Sequence, residues 1–371
     1  MELIMTKKGN HVRDDRFDIL LPELRPYFVE ALAGQGQATI YGGKLTYAKN
    51  GLQTEDEIIK VSPKNAFIQG FRSRSNVVVV PEPLWFRQYP LTVPFITGVL
   101  LGRWVRLQTP RMGTICIDNA PPTAVLKLPD VVPVRLRKVL GSIVVLPQSL
   151  VISHWVFGTD AARDTYKELL GPVFDRWIAP RSRVVLPKPR QRGTTQGLPA
   201  QFAFIGRLSR FKGIPLMLDT WEKIAEARSD ATLHIAGIGE MEEEVVEWAR
   251  SRPEVTVEID VTRERVFEIL SRCGTHFQLS MPRKRGGEQV GSANLEALSM
   301  GLRLVVTSET GISEWLKTLG HVVVQPSISS ENLANLILRE LEQPWSPPAA
   351  SFYGEDGLAY QHRILLEKLR L

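Results

Sequence analysis

Short apolar runs alternate with helix-patterned stretches along almost the whole chain, and this alternation most narrows what it can fold into. A run of four or five apolar, often β-branched residues reads as a strand buried on both faces, and neighbouring parallel strands need a helix to cross between them. In the second half the order is strand Phe202–Ile205, helix Ile214–Ala227, strand Thr232–Ala236, helix Glu240–Ser251, strand Val255–Ile259, helix Arg263–Cys273 and strand Thr275–Leu279. After a glycine-rich segment come strand Arg303–Thr307, helix Ile312–Leu319, strand His321–Val324 and helix Ser330–Leu341. The first half offers strands Phe17–Leu21, Ala38–Tyr41, Ile58–Val61, Val77–Val80 and Thr114–Ile117, with helices Val132–Leu140 and Asp160–Leu170. The run Ser142–Leu146 fits either state. Such alternation predicts an α/β protein with largely parallel sheets.

Pro187–Pro199 (PKPRQRGTTQGLP) has no apolar period and marks a boundary. It divides the 371 residues into an N-terminal unit, 1–190, and a C-terminal unit, 200–345, each of a size to bury its own core. A final helix within 353–371 follows PWSPPAA and is expected to pack back on the first unit.

Composition removes several classes. No stretch reaches the roughly 18 apolar residues that span a bilayer; the longest, Val93–Gly102, stops at Arg103. Residues 1–17 lack the apolar core of a signal peptide. Cys116 and Cys273 stand far apart in apolar contexts and read as buried free thiols of a cytoplasmic protein. No Cys/His grouping has metal-ligand spacing, so no metal is expected. Residues 1–200 carry 27 Lys+Arg against 16 Asp+Glu, a net of +11, and the remainder carries a net of −5. A basic half suits an anionic partner such as a membrane surface, an acidic acceptor or nucleic acid, and also serves solubility.

Three segments carry chemistry. Gly206-Arg207-Leu208-Ser209-Arg210-Phe211-Lys212-Gly213 directly follows a strand, where open α/β sheets bind ligands. Arg207 offers a planar fork to phosphate oxygens and Lys212 a mobile point charge. Gly237-Ile238-Gly239 ends the next strand, and its glycines serve either a tight turn or close approach to a ligand. Glu242 stands where a dinucleotide fingerprint needs a third glycine. The segment 286–301, GGEQVGSANLEALSMG, places Glu288 in a loop and Glu296 on the first or second turn of a helix. Between them Val290, Gly291, Ser292 and Ala293 present the unpaired N–H groups of a helix start to an anion. Either carboxylate, taken alone, also fits an ordinary surface charge.

The strings FIGRLSRFKG, LHIAGIGE, EQVGSANLEALSMG and VVTSETGISEWL resemble the C-terminal domain of the retaining glycosyltransferases of family 4, the glycogen-synthase-like group 1. Gly291, Glu296, Ala297 and Gly301 fall in the family's register, and the likeness covers about a third of the chain, residues 202–315. The resemblance implies a GT-B fold, two Rossmann-like doubly wound domains facing each other across a cleft. It implies a nucleotide diphosphate sugar as donor substrate, with no metal strictly required. Arg207 and Lys212 would neutralise the diphosphate, Glu288 would contact the transferred sugar, and Glu296 the ribose. Gly206, Gly237, Gly239 and the 290–293 amides would complete the donor site.

The chain also departs from the family. Many relatives carry a histidine in the N-terminal domain where Ile117 stands, in Ile117-Asp118-Asn119-Ala120-Pro121. Asp118 then serves either as a polar contact to the sugar in the catalytic set or as a strand-end cap. Leu21-Pro22-Glu23-Leu24 occupies the place of a glycine-rich loop, and Arg283-Lys284-Arg285 is an unusually basic insertion. The segment Val134–Leu140 reads as an amphipathic helix, for a membrane surface or with its apolar side in the core. Trp85, Phe86 and Tyr89 read as core or acceptor-cleft residues. The expected acceptor is an anionic or lipid-linked glycan met at the inner membrane face. A modified nucleic-acid base, or a binding module with a decayed site, are the alternatives.

Overall fold

The computed structural model describes residues 16–24, 32, 38–45 and 57–370, apart from 122, 125, 127, 130, 284, 285, 350, 351, 355 and 356. Strands β1 (Phe17–Leu24), β2 (Ala38–Leu45), β3 (Glu57–Lys60), β4 (Val77–Val79), β5 (Arg111–Cys116), β6 (His154–Phe157) and β7 (Ser182–Val184) form one parallel sheet. Their spatial order is β3-β2-β1-β4-β5-β6-β7, the doubly wound arrangement, with its switch point between β1 and β4.

The valine run at 77–80 looks uniform in sequence because both faces of its strand are covered. Val78 and Val80 enter one core with Leu20, Phe95, Trp155 and Tyr166, while Val77 and Val79 enter another with Phe17, Ile19 and Val156. The first core lies under α1 (Ala66–Arg72), α2 (Tyr89–Val105), α3 (Val134–Val151) and α4 (Asp160–Leu170). The second is closed by α11 (Gly357–Arg370), whose Leu365, Leu366 and Leu369 are buried against it. Gly113 on β5 admits this helix: a Cβ there would lie 2.7 Å from the Leu365 and Leu369 side chains.

The second sheet is also parallel throughout. Its strands β8 (Gln201–Ile205), β9 (Thr232–Ala236), β10 (Val255–Glu258), β11 (Thr275–Gln278), β12 (Arg303–Thr307) and β13 (Val322–Val324) lie in the order β10-β9-β8-β11-β12-β13. Helices α5 (Ile214–Ala227), α6 (Glu242–Ala249), α7 (Arg263–Ser271), α8 (Ser292–Ser299), α9 (Ser313–Thr318) and α10 (Ser330–Leu341) cover its faces over two apolar cores. Thr262 and Ser329 start α7 and α10 by accepting from the backbone N–H groups of Arg265 and Asn332. The segment 187–198 runs along this unit, its backbone bonded to Ser299, Met300 and Ser271.

Several expectations need correcting. Leu21-Pro22-Glu23-Leu24 is no loop but the end of β1, paired to β2 as far as Leu24↔Leu45. The helix expected at Val132–Leu140 starts at Val134, after Pro133, and runs to Val151, so Ser142–Leu146 is helical. Its buried residues are Gly141, Val145, Gln148 and Ser149, while Val134, Leu136, Val139 and Ile143 are exposed. Strands β6 and β7 were too short to stand out, and α2 hid because it is apolar on most sides and contains Pro94.

Candidate donor site and interdomain cleft

The switch point of the second sheet lies between β8 and β11, so the loops that leave these strands border one crevice. The loop after β8 carries Arg207 and Lys212. Ser209 accepts from the Lys212 N–H at 3.4 Å and starts a single 3-10 turn, Arg210–Lys212. Gly213 then adopts φ +75°, and a Cβ there would lie 1.9 Å from the carbonyl oxygen of Leu279. Only glycine lets this loop lie against the end of β11.

That contact delivers the two charged groups to each other. The Lys212 ammonium pairs with Glu288 Oε2, both side chains being largely buried, at 18% and 13% exposure. Ser280 Oγ lies 3.4 Å from the same carboxylate oxygen. Glu288 Oε1 lies 3.6 Å from where a Cβ on Gly291 would stand, and Gly291 (φ +75°) precedes α8. A lysine, a carboxylate, a hydroxyl and a helix start therefore converge within a few ångströms. Val290, Ser292 and Ala293 form the backbone of that start, and α8 places Glu296 one turn further on.

Glu296 is mostly buried, and burial raises its pKa, partly opposed by Arg263 and Arg192. Arg263 Nε stands 3.9 Å from its carboxylate. Both arginines also lie over the Phe267 ring, at 6.0 and 4.8 Å. Arg207 is exposed and makes no ion pair among the described residues. Beneath the site, burial pushes His276 down to about 3, so it is a neutral ring near Lys212.

Gly206, Gly237 and Gly239 have a local explanation. A Cβ on Gly237 would stand 1.7 Å from the Gly206 carbonyl oxygen, and one on Gly239 2.1 Å from that of Leu208. Backbone bonds Gly206 N–H to Ala236 O (3.0 Å) and Leu208 N–H to Ile238 O (2.9 Å) join the two loops. These glycines let the second loop brace the first.

The first unit reaches this crevice through residues 117–121. Asn119 Nδ2 donates to the Glu288 carbonyl at 3.1 Å, and that carbonyl also accepts from Gly311 N–H at 2.8 Å. The backbone of Glu288 is thus held from both units. Asp118 caps its own turn, accepting from Ala120 N–H at 2.8 Å, and burial raises its pKa. Behind it lies Glu82, 1% exposed, whose carboxylate oxygens accept from the N–H groups of Ile117 and Asp118 at 3.2 Å. Tyr166 Oη, 3.4 Å away, donates to the same carboxyl. Burial, reinforced by Asp118, holds the Glu82 pKa well above the usual carboxylate range.

A cavity of about 390 Å³ opens between the units beside Glu288, lined by Asn119, Asp164, Thr165, Arg283, Gly287 and Glu309 among others. Arg283 stacks over Phe211 at 3.3 Å; Lys284 and Arg285 of the expected basic insertion lie outside the described residues. Among the described residues no three His, Cys, Asp or Glu side chains gather as a metal site.

Glu82, Asn119, Ser280, Arg192 and Arg263 were not singled out from sequence. A lone carboxylate between two prolines, straight after four valines, was a usable signal for Glu82. Nothing local marks the two arginines, whose roles arise from packing on Phe267.

The model of the family described as "Glycosyl transferases group 1" matches residues 188–355. No match by sequence was found among curated proteins. Solved structures that are similar include Anabaena Alr3699/HepE in complex with UDP and glucose, at 11% identity and TM-score 0.60 over 95% of this chain and 94% of that one. The lipopolysaccharide outer core galactosyltransferase WaaB in its apo form is 12% identical, with TM-score 0.60 over 96% of each chain. WaaG, a glycosyltransferase involved in lipopolysaccharide biosynthesis, is 13% identical, with TM-score 0.56 over 95% of this chain and 98% of that one.

Proposed function

We propose, for a chain whose residues 188–355 form a group 1 glycosyltransferase domain within a GT-B fold, that it transfers a sugar from a nucleotide diphosphate donor to a glycan or glycolipid hydroxyl. The observation that carries this is the convergence of Lys212, Glu288, Ser280 and the start of α8 at the sheet's switch point. In this reading the donor diphosphate lies over the α8 N-terminus, and its negative charge draws Lys212 away from Glu288. Arg207, exposed at the crevice edge, supplies a second cation. Glu288, released from its lysine, accepts hydrogen bonds from the sugar hydroxyls, and Glu296 does so from the ribose. UDP is the first donor nucleotide to test, because the similar HepE structure holds it.

The chemical step is cleavage of the bond between the sugar's anomeric carbon and the phosphate oxygen, with a bond formed from an acceptor hydroxyl. Developing charge on the departing diphosphate is met by Lys212, Arg207 and the helix start, a preorganised set of donors. The reading is of transfer with retention of configuration, the acceptor proton passing to the leaving phosphate on the same face. It assigns no protein nucleophile and calls for no metal ion.

The acceptor hydroxyl enters from the cavity beside Asn119 and Gly287, and Asp118 lies on the loop that borders it. The basic first half supports an anionic or lipid-linked acceptor met at the inner membrane face, in surface-polysaccharide or glycoconjugate synthesis.

Calorimetry with UDP and screening of UDP-, GDP- and ADP-sugars by thermal shift test the donor site, since a bound donor stabilises the fold by mass action. Lys212→Ala should weaken donor binding about tenfold or more, the scale of one lost charge-assisted hydrogen bond. Unchanged affinity in both Lys212→Ala and Glu296→Ala would sink the assignment. The anomeric proton of the product, read by NMR, tests retention; activity in excess chelator tests independence from metal.

A further inference from the structure

Helices α1 and α2 meet backbone to backbone. A Cβ on Gly70 would stand 2.1 Å from the Phe95 carbonyl oxygen, one on Gly98 2.1 Å from that of Phe67, and one on Gly102 2.6 Å from that of Phe71. With the seam made of glycine, the large apolar side chains turn outward. Phe67, Ile68 and Phe71 on α1, with Leu101, Trp104 and Val105 on α2, are all exposed. Trp104 is 74% exposed, although the residue type is seldom left so bare.

The end of α2 sharpens the point. Gln108 N–H bonds to Arg103 O and Leu107 N–H to Trp104 O, the paired bonds of a Schellman C-cap. The residue that must then be left-handed is Leu107, at φ +54°. Glycine is the usual occupant, because the side chain of any other residue is strained there. Among the described residues only Leu107 and Asp260 combine a side chain with positive φ. Leu107 is also 94% exposed, so no packing among the described residues repays the strain. An aliphatic side chain held in a costly conformation and pushed into solvent points to a function.

The charge along this stretch of the chain is nearly all of one sign. Residues 61–117 contain seven Lys+Arg and a single carboxylate, the buried Glu82. Lys64, Arg72, Arg74 and Arg106 are exposed, and Arg106 lies 5.6 Å over the Phe71 ring. Helix α3 differs, because its Lys138 is paired with Glu168 and the acidic α4 lies beside it.

We propose that the outer face of α1 and α2, led by Trp104 and Leu107, docks on an anionic lipid bilayer. Leu107 and Val105 insert among the acyl chains, Trp104 sits at the headgroup level where indoles are favoured, and the exposed lysine and arginines meet lipid phosphates. A nucleic acid would use the cations but leave the aliphatic wedge in water. A membrane surface, one of the two readings of Val134–Leu140, is thereby placed on the α1–α2 pair instead.

The test is co-sedimentation of the full chain with phosphatidylcholine vesicles, with and without phosphatidylglycerol. Binding is expected to the anionic vesicles and to fall as salt rises. Trp104→Ser and Leu107→Gly should each reduce the partition coefficient roughly tenfold. Leu107→Gly should at the same time raise Tm by roughly 2–4 °C, since it relieves the left-handed strain. Val139→Ser with Ile143→Ser on α3 should retain binding. The proposal is overturned if Leu107→Gly binds like the parent chain, or if the α3 pair abolishes binding while Trp104→Ser leaves it. It is also overturned if the parent chain ignores anionic vesicles, the result expected of a face made for a protein partner. UDP affinity, measured on the same samples, reports separately on the donor site and should not change in these variants.

Discussion

Glu82 can be interrogated with a single isosteric change. Its carboxyl is buried, and its pKa is raised by burial first and by Asp118 second. For an acid whose folded pKa exceeds its unfolded one, the unfolded chain releases its proton earlier as pH rises. The contribution is therefore fully present below the unfolded value, near 4.5, and is lost as pH climbs towards the folded value. One proton sets the slope at about 1.4 kcal/mol per pH unit within that window. Glu82→Gln keeps the shape, an oxygen for the Ile117 and Asp118 N–H groups, and a polar group beside Tyr166, but cannot ionise. Measured by urea unfolding from pH 4.5 upward, the variant should match the parent chain at the acid end and become progressively more stable above it. Taking the difference between the two proteins cancels the titrating groups that do not interact with Glu82. Glu82→Leu is the complement: it strands two backbone donors at about 1–3 kcal/mol each and should cut transfer activity by freeing the 117–119 loop. A stability difference between parent and Gln variant that stays flat with pH would refute the protonation argument. Full activity in the Leu variant would refute the bracing role.

Other outcomes follow from neighbouring features. Gly213→Ala combines positive φ with a Cβ 1.9 Å from the Leu279 carbonyl; it should cost at least the roughly 1–2 kcal/mol of the left-handed conformation and weaken UDP binding, read by thermal shift and calorimetry. His321 is pushed down to about 3 by burial, its Nδ1 accepting from Leu304 N–H at 3.1 Å. The unfolded chain then binds one more proton below about pH 6.5, so stability falls on acidification through that value and on towards 3. His321→Gln should remove about 1.4 kcal/mol per pH unit from that acid slope, as urea titrations at pH 4–6 would show.

Much of the second unit was legible because its signals are local. Lys212 and Glu288 each follow a strand whose apolar run is unmistakable, and strand ends in a parallel sheet share an edge. That the lysine pairs with the glutamate was not legible, since it depends on Gly213 letting one loop rest on Leu279 across 66 residues of sequence. The first unit was harder to read. Its α2 has no polar face to set a period, and its glycines serve a seam that only the partner helix reveals. Asp118 stands out for its place in a motif; Glu82 has a local mark in its two flanking prolines, but its hold on the Ile117 and Asp118 N–H groups is visible only once β4 and β5 lie side by side.

The return of α11 to the first sheet has a consequence for the order in which the protein can be completed. Phe17, Ile19, Val77, Val79 and Val156 wait for Leu365, Leu366 and Leu369, made about 180 residues after β7. At ordinary rates of synthesis that interval is roughly 10–40 s, long enough for the whole second sheet to form first. During it one flank of the earlier sheet stands open to water, to chaperones and to other nascent chains. Synthesis and docking of α11 end that interval.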